Sequence, residues 1–189
     1  MEACLSKDFQ LIKVELPGFG KSEVIAETQT MEIMADEIKK LMDHLAVTKY
    51  HFLGHSMGGY LGLAFAEKYK DSLKSLTLFF STYFSDDEEK KNTRLKSLRV
   101  IKDNYEGFAK TGIPNLFGAP ERDLLRDKID RAKEIAYTAD VEGVLASTKG
   151  MAERPDRQSV LENFEGKILL INGRHDNAVN SLKTIEALP

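Results

Sequence analysis

The sequence predicts an α/β fold, a mostly parallel sheet with helices on both faces joined to an all-helical insertion, and three observations predict it. Short apolar runs alternate with helical patterns over residues 9–80 and again from residue 167, the order that wraps helices about a parallel sheet. Two of these runs, LTLFF at Leu76–Phe80 and KILLIN at Lys167–Asn172, show no polar alternation, which points to strands covered on both faces. Between them the chain from Asp86 to Arg157 is charge-rich and helical in pattern, so the strand–helix register is interrupted by a block of helices.

Each element follows from local chemistry. FQLIKVE, Phe9–Glu15, is an apolar and β-branched run closing on Pro17 and Gly18, which predicts a strand followed by a loop that continues to about Thr28. Met31, Met34, Ala35, Ile38, Leu41, Met42 and Leu45 recur at the spacing of one helix face, the apolar stripe of an amphipathic helix. Tyr50–Leu53 reads as a strand, Met57–Tyr69 as a helix and Leu76–Phe80 as a strand. Within the insertion, the breaker GIPNLFGAP separates two charged helical stretches, and DVEGVLASTKGMAERPD follows. A helix begins at Ser181 and runs to Leu188. The predicted organisation is therefore a sheet domain over residues 1–82 and 160–189, with helices over residues 83–159.

Composition narrows the classes of function. The 189 residues carry 27 Lys and Arg against 30 Asp and Glu, a formal net charge of −3, and the basic residues form no stripe, so a nucleic-acid partner is not expected. No apolar run approaches the length of a membrane span, and the N-terminus lacks the basic and apolar regions of a signal peptide. No membrane partner is expected, and a single cysteine, Cys4, fits a reducing cytoplasmic setting and a role as a small apolar filler.

The chemistry concentrates at Gly54-His55-Ser56-Met57-Gly58, a G-x-S-x-G pattern between a predicted strand and a predicted helix. Such a sharp turn forces its central residue into a strained conformation, so small neighbours are needed. Gly54 and Gly58 are expected to relieve the crowding, and Gly59 to let the helix approach the sheet. Ser56 then stands above a helix N-terminus, where the N–H of Met57 can serve as an oxyanion donor.

Here the chain resembles the α/β-hydrolase superfamily, in the branch that carries a helical cap. ELPGFGKSE, Glu15–Glu23, is similar to that branch's acidic-x-Pro-Gly-x-Gly-x-Ser loop after the fourth core strand, with Glu in place of the commoner Asp. The helical block occupies the place of the cap, and LLINGRHDNAV resembles the seventh strand with its Gly-x-x-Asp turn. The resemblance implies Ser56 as nucleophile and Asp176 as the acid that orients a histidine base. It also implies a small acyl substrate, most simply a carboxylic ester or thioester, held in an apolar pocket that the cap closes over Ser56. No cofactor and no metal are implied. A non-catalytic binding module, or an incomplete fragment, is the alternative, because the family's histidine and second oxyanion loop have no counterpart in this sequence.

The four histidines have other expected places. His55 should point away from Ser56 as a packed, hydrogen-bonded residue, His44 lies on the polar part of a helix, and His175 is too close to Asp176 to serve as its partner. His51 and His55 fall on a strand and a turn, so their spacing makes no metal pair. GFGKS lacks the spacing of a phosphate loop. Charged runs such as DDEEKK and RDKIDRAKE read as solvated helix faces. Relative to the family the chain starts at the fourth strand and stops before the eighth, so it is expected to be unstable alone, to pair as a homo-oligomer through exposed sheet edges, or to be accompanied by flanking segments.

Overall fold

The computed structural model describes residues 2–174, 176 and 178–186, apart from the side chain of Leu182. In chain order the helices are α1 (Glu2–Leu5), α2 (Met31–His44), α3 (Met57–Tyr69), α4 (Glu88–Gly112), α5 (Arg126–Tyr137), α6 (Val141–Glu153), α7 (Gln158–Glu162) and α8 (Ser181–Glu186). The strands are β1 (Tyr50–His55), β2 (Leu73–Phe79) and β3 (Lys167–Ile171), all parallel in the order β1-β2-β3. The register pairs Phe52 with Leu76 and Leu76 with Ile168, and Gly54 with Leu78 and Leu78 with Leu170. Those residues look toward α3, and the core beneath them holds Leu61, Leu63, Phe65, Leu76 and Leu78 together with Met31, Met34 and Ile38 of α2.

The opposite face of the sheet behaves differently from expectation. Leu53, Leu169 and Ile171 are 45%, 53% and 41% exposed, so β3 alternates between exposed and half-buried positions instead of being covered on both sides. Among the described residues, helices pack over one face only, and the apolar side chains of the other face are left to solvent.

Phe9–Glu15 is the second difference. These residues form no strand, because no described strand lies along the free edge of β1 to offer them a ladder. Val14 and Leu16 still pack against the core, and Phe9 sets its ring edge-on to His51 at 5.5 Å. Cys4 is exposed and so is no core filler.

The helical block appears as expected, with α4 packed along α6 and α5. It is tied to the sheet domain through α6 and the loop at residues 17–30. A Cβ on Gly143 would collide with the Gly18 carbonyl, and one on Gly150 with the Gln29 carbonyl, so helix and loop meet backbone to backbone. Gln29, fully buried, braces this loop by donating to the Pro17 carbonyl at 2.8 Å and accepting from the Ile25 N–H at 3.0 Å.

An ion cluster supplies the second tie. Asp86 belongs to the run predicted to be solvated, yet its side chain is 1% exposed. Arg154 clasps it bidentately at 2.7 and 2.9 Å, Arg94 donates at 2.5 Å, and the Arg154 guanidinium lies 3.9 Å from the centre of the Tyr60 ring. Burial works against the charge, but hydrogen bonds from Arg154 and Arg94 prevail and pull the Asp86 carboxyl down to about 2. Arg157 joins Glu67 at 3.0 Å and also pairs with Glu32.

Candidate active site

The change of direction from β1 to α3 falls on one residue, Ser56. Its backbone sits at φ 50° and ψ −115°, a conformation that costs a non-glycine residue on the order of 1–3 kcal/mol. Neighbouring groups hold it there. The Ser56 N–H donates to the Phe79 carbonyl at 2.9 Å, while the Ser56 carbonyl accepts from the Gly59 N–H at 2.9 Å and from the Ser81 hydroxyl at 2.9 Å.

Two glycines make this bend sterically feasible. A side chain on Gly54 would collide with the Gly58 carbonyl, and one on Gly59 with the Ser81 side chain. Gly58 departs from the expectation, since a Cβ there would meet nothing within 4 Å. It faces open space in the first turn of α3, so Gly54 and Gly59 carry the crowding. The first N–H groups of α3 have no acceptor within the helix, and among the described residues none faces the N–H of Met57.

Asp176 lies in the loop after β3. Its N–H donates to the Gly173 carbonyl at 3.2 Å, and its Oδ1 accepts from the N–H groups of Ala178 at 2.8 Å and Val179 at 3.0 Å. One carboxylate oxygen thus shapes the turn, and Oδ2 has no partner among the described residues. Ser56 and Asp176 both lie beyond the C-terminal ends of parallel strands, where sheets of this kind carry their sites. With β2 between them, the ends of β1 and β3 are about 10 Å apart.

The loops carrying these groups are knitted together by residues that sequence reasoning missed. Phe80 donates its N–H to the Ile171 carbonyl at 2.7 Å, Ser81 donates its N–H to Asn172 Oδ1 at 3.1 Å, and Tyr83 donates its hydroxyl to the Thr184 carbonyl at 2.9 Å. Lys90 reaches the Ala178 carbonyl at 2.7 Å, and burial lowers its pKa. A Cβ on Gly173 would press on the Phe80 ring at 2.7 Å, so a side chain there would make the ring shift. No sequence pattern flags Ser81 or Asn172, whose partners lie 25 and 91 residues away.

Of the histidines, His51 Nδ1 lies 2.7 Å from the Ser75 hydroxyl. His55 packs its ring against Phe79 and Phe80 at 5.5 and 6.1 Å, but it is exposed and has no hydrogen bond among the described residues, unlike the expectation. His44 is exposed at the end of α2, and His175 lies outside the described residues. No hydrogen bond joins a described histidine to Ser56. An open cleft of about 810 Å³ lies between the loop at residues 24–27, α4 and α6, lined by Ile25, Leu98, Lys102, Leu145 and Lys149 among others. Neither Ser56 nor Asp176 lines it, so it is not the apolar pocket expected over the serine. Among the described residues no three His, Cys, Asp or Glu side chains gather as a metal site, and no helix is long and apolar enough to cross a membrane.

This strand–bend–helix arrangement on a parallel sheet is the architecture of the α/β hydrolases, and the chain belongs to the α/β-hydrolase-fold family, matching it over residues 1–189. It is similar to a thermophilic esterase from Thermogutta terrifontis, with 35% identity and a TM-score of 0.84 over 92% of this chain and 64% of that one. It is also similar in fold to the enol-lactonase of Burkholderia xenovorans LB400, at 24% identity and TM-score 0.87 over 97% of this chain and 70% of that one. Among curated proteins, RutD of Yersinia enterocolitica, named as a candidate carbamate hydrolase, is 23% identical over 92% of this chain and 63% of its own length. A 2-hydroxy-6-oxononadienedioate/2-hydroxy-6-oxononatrienedioate hydrolase of Paraburkholderia phymatum is 33% identical over 41% of this chain and 27% of its own. The chain spans less than two thirds of the length of these curated relatives.

Proposed function

We propose that the chain supplies the nucleophile and acid of a serine hydrolase acting on a small carboxylic ester or thioester through a covalent acyl-enzyme. The observation that carries this is Ser56 at φ 50°, strained at a strand-to-helix bend and followed by an N–H with no partner among the described residues. Strain of this kind persists only where the surroundings over-determine it, and it gathers at functional sites.

In this reading Ser56 Oγ attacks the acyl carbon while its proton passes to an imidazole. The carbonyl oxygen gains negative charge and is held by the Met57 N–H, and the alcohol or thiol departs with the proton. Asp176 orients the imidazole through Oδ2, which has no partner among the described residues. An imidazole standing over the end of β2 would lie between the two groups. The helical block acts as the cap that shapes the acyl pocket, and the protein works in the cytoplasm. The esterase relationship at 35% identity supports the ester class.

A p-nitrophenyl phosphonate probe tests the proposal. Ser56 Oγ forms a bond to phosphorus, p-nitrophenolate leaves, and the hydroxyl proton is lost. Labelling at Ser56 that vanishes in Ser56→Ala is expected. An unlabelled chain supports the second reading, a non-catalytic binding module, which the lack of any hydrogen bond between Ser56 and a described histidine favours.

A further inference from the structure

We infer that Ser81 is a positioning residue that aims the Met57 N–H at the oxyanion, with Asn172 holding Ser81 in place; this rests on the reading of Ser56 as nucleophile. The argument starts from peptide geometry. The Ser56 C=O and the Met57 N–H belong to one planar trans peptide, so they point in opposite directions, and whatever fixes the carbonyl fixes the donor.

The Ser56 carbonyl is fixed twice, by the Gly59 N–H at 2.9 Å and by the Ser81 hydroxyl at 2.9 Å. The Gly59 bond comes from the first turn of α3 itself and turns with it. Ser81 comes from the end of β2, a separate element, and therefore ties the peptide plane to the sheet. It is fully buried and so close to Gly59 that no Cβ fits between them, which leaves its side chain little room to swing. Its own backbone is anchored where the Ser81 N–H donates to Asn172 Oδ1 at 3.1 Å, and the preceding Phe80 is itself at φ 50°. Two strained residues just past the ends of neighbouring strands, Ser56 and Phe80, thus bracket one hydroxyl whose acceptor is the carbonyl behind the oxyanion donor.

The consequence is specific to the reaction. Without the Ser81 hydroxyl the Ser56–Met57 peptide keeps only its helical partner and can rock, and a small misdirection of a preorganised donor is felt in the chemical step more than in binding. Ser81→Ala should slow the maximal rate of phosphonate labelling on the order of 10- to 100-fold, with the concentration for half-maximal rate unchanged. Asn172→Ala should slow it in the same sense. The double variant should be no slower than the worse single, because both act on one peptide. Thermal melts of each variant separate loss of fold from loss of aim. Ser81→Ala labelling at the parent's maximal rate while folded overturns the inference, as do additive effects in the double variant. An unlabelled parent chain overturns the nucleophile reading and the inference with it.

Discussion

Neutralising Asp86 should loosen the start of the helical block from the end of α6, and the size of the effect can be worked from the cluster around it. Asp86→Asn keeps the shape but leaves Arg154, whose side chain is 2% exposed, without its counter-charge. The carboxyl is lowered from 3.8 to about 2, which corresponds to about 2 kcal/mol of folded-state preference for the charged form. Stranding a buried partner raises the loss to about 3–5 kcal/mol. Because the folded value is depressed, this stabilisation is present in full above the unfolded value near 3.8 and is lost as pH falls through about 2. Urea unfolding followed by circular dichroism should therefore show the variant's midpoint lower by ~1–2 M near neutral pH. The gap should hold down to about pH 5 and close between about pH 4 and pH 2. A gap under about 0.5 kcal/mol at neutral pH, or one that persists unchanged at about pH 2, would refute the reasoning.

The glycines at the bend make a contrasting pair. Gly54→Ala should unfold the bend or abolish labelling of Ser56, since its Cβ meets the Gly58 backbone. Gly58→Ala should leave labelling intact and gain up to about 1 kcal/mol of helix propensity in thermal melts. Gly150→Ala drives a methyl into the Gln29 carbonyl, and a loss of about 1–3 kcal/mol should appear in denaturant unfolding. The uncovered sheet face should draw a second copy of the chain. The exposed area of 11854 Å² for 21.3 kDa exceeds the about 9,100 Å² of a compact monomer that size, and the excess is large enough for a stable interface. Sedimentation should report a dimer or larger species that Leu53→Lys with Leu169→Lys reduces to monomer; a parent chain that sediments as a monomer would refute this.

Ser56 and its flanking elements were legible because their signal is local: an apolar run, a cluster of small residues and a helix-period stripe within twenty residues. The helix Met57–Tyr69 was bounded correctly for the same reason. FQLIKVE misled because a strand needs a neighbour as well as β-branched residues, and the described chain offers none beside it. DDEEKK misled at Asp86 because charge alone does not tell a solvated carboxylate from one buried by an arginine 68 residues further on.

Thus the amino-acid order by itself determined where the chain turns from strand to helix and that a hydroxyl stands at that turn, since backbone sterics and side-chain periodicity act over a few residues. Tertiary structure alone decided which glycines carry the crowding, that Ser81 and Asn172 brace the bend, that Asp86 is buried, and that one sheet face lies open. Those are properties of contacts between elements far apart in sequence, where burial and hydrogen-bond partners are assigned only once the chain has closed on itself.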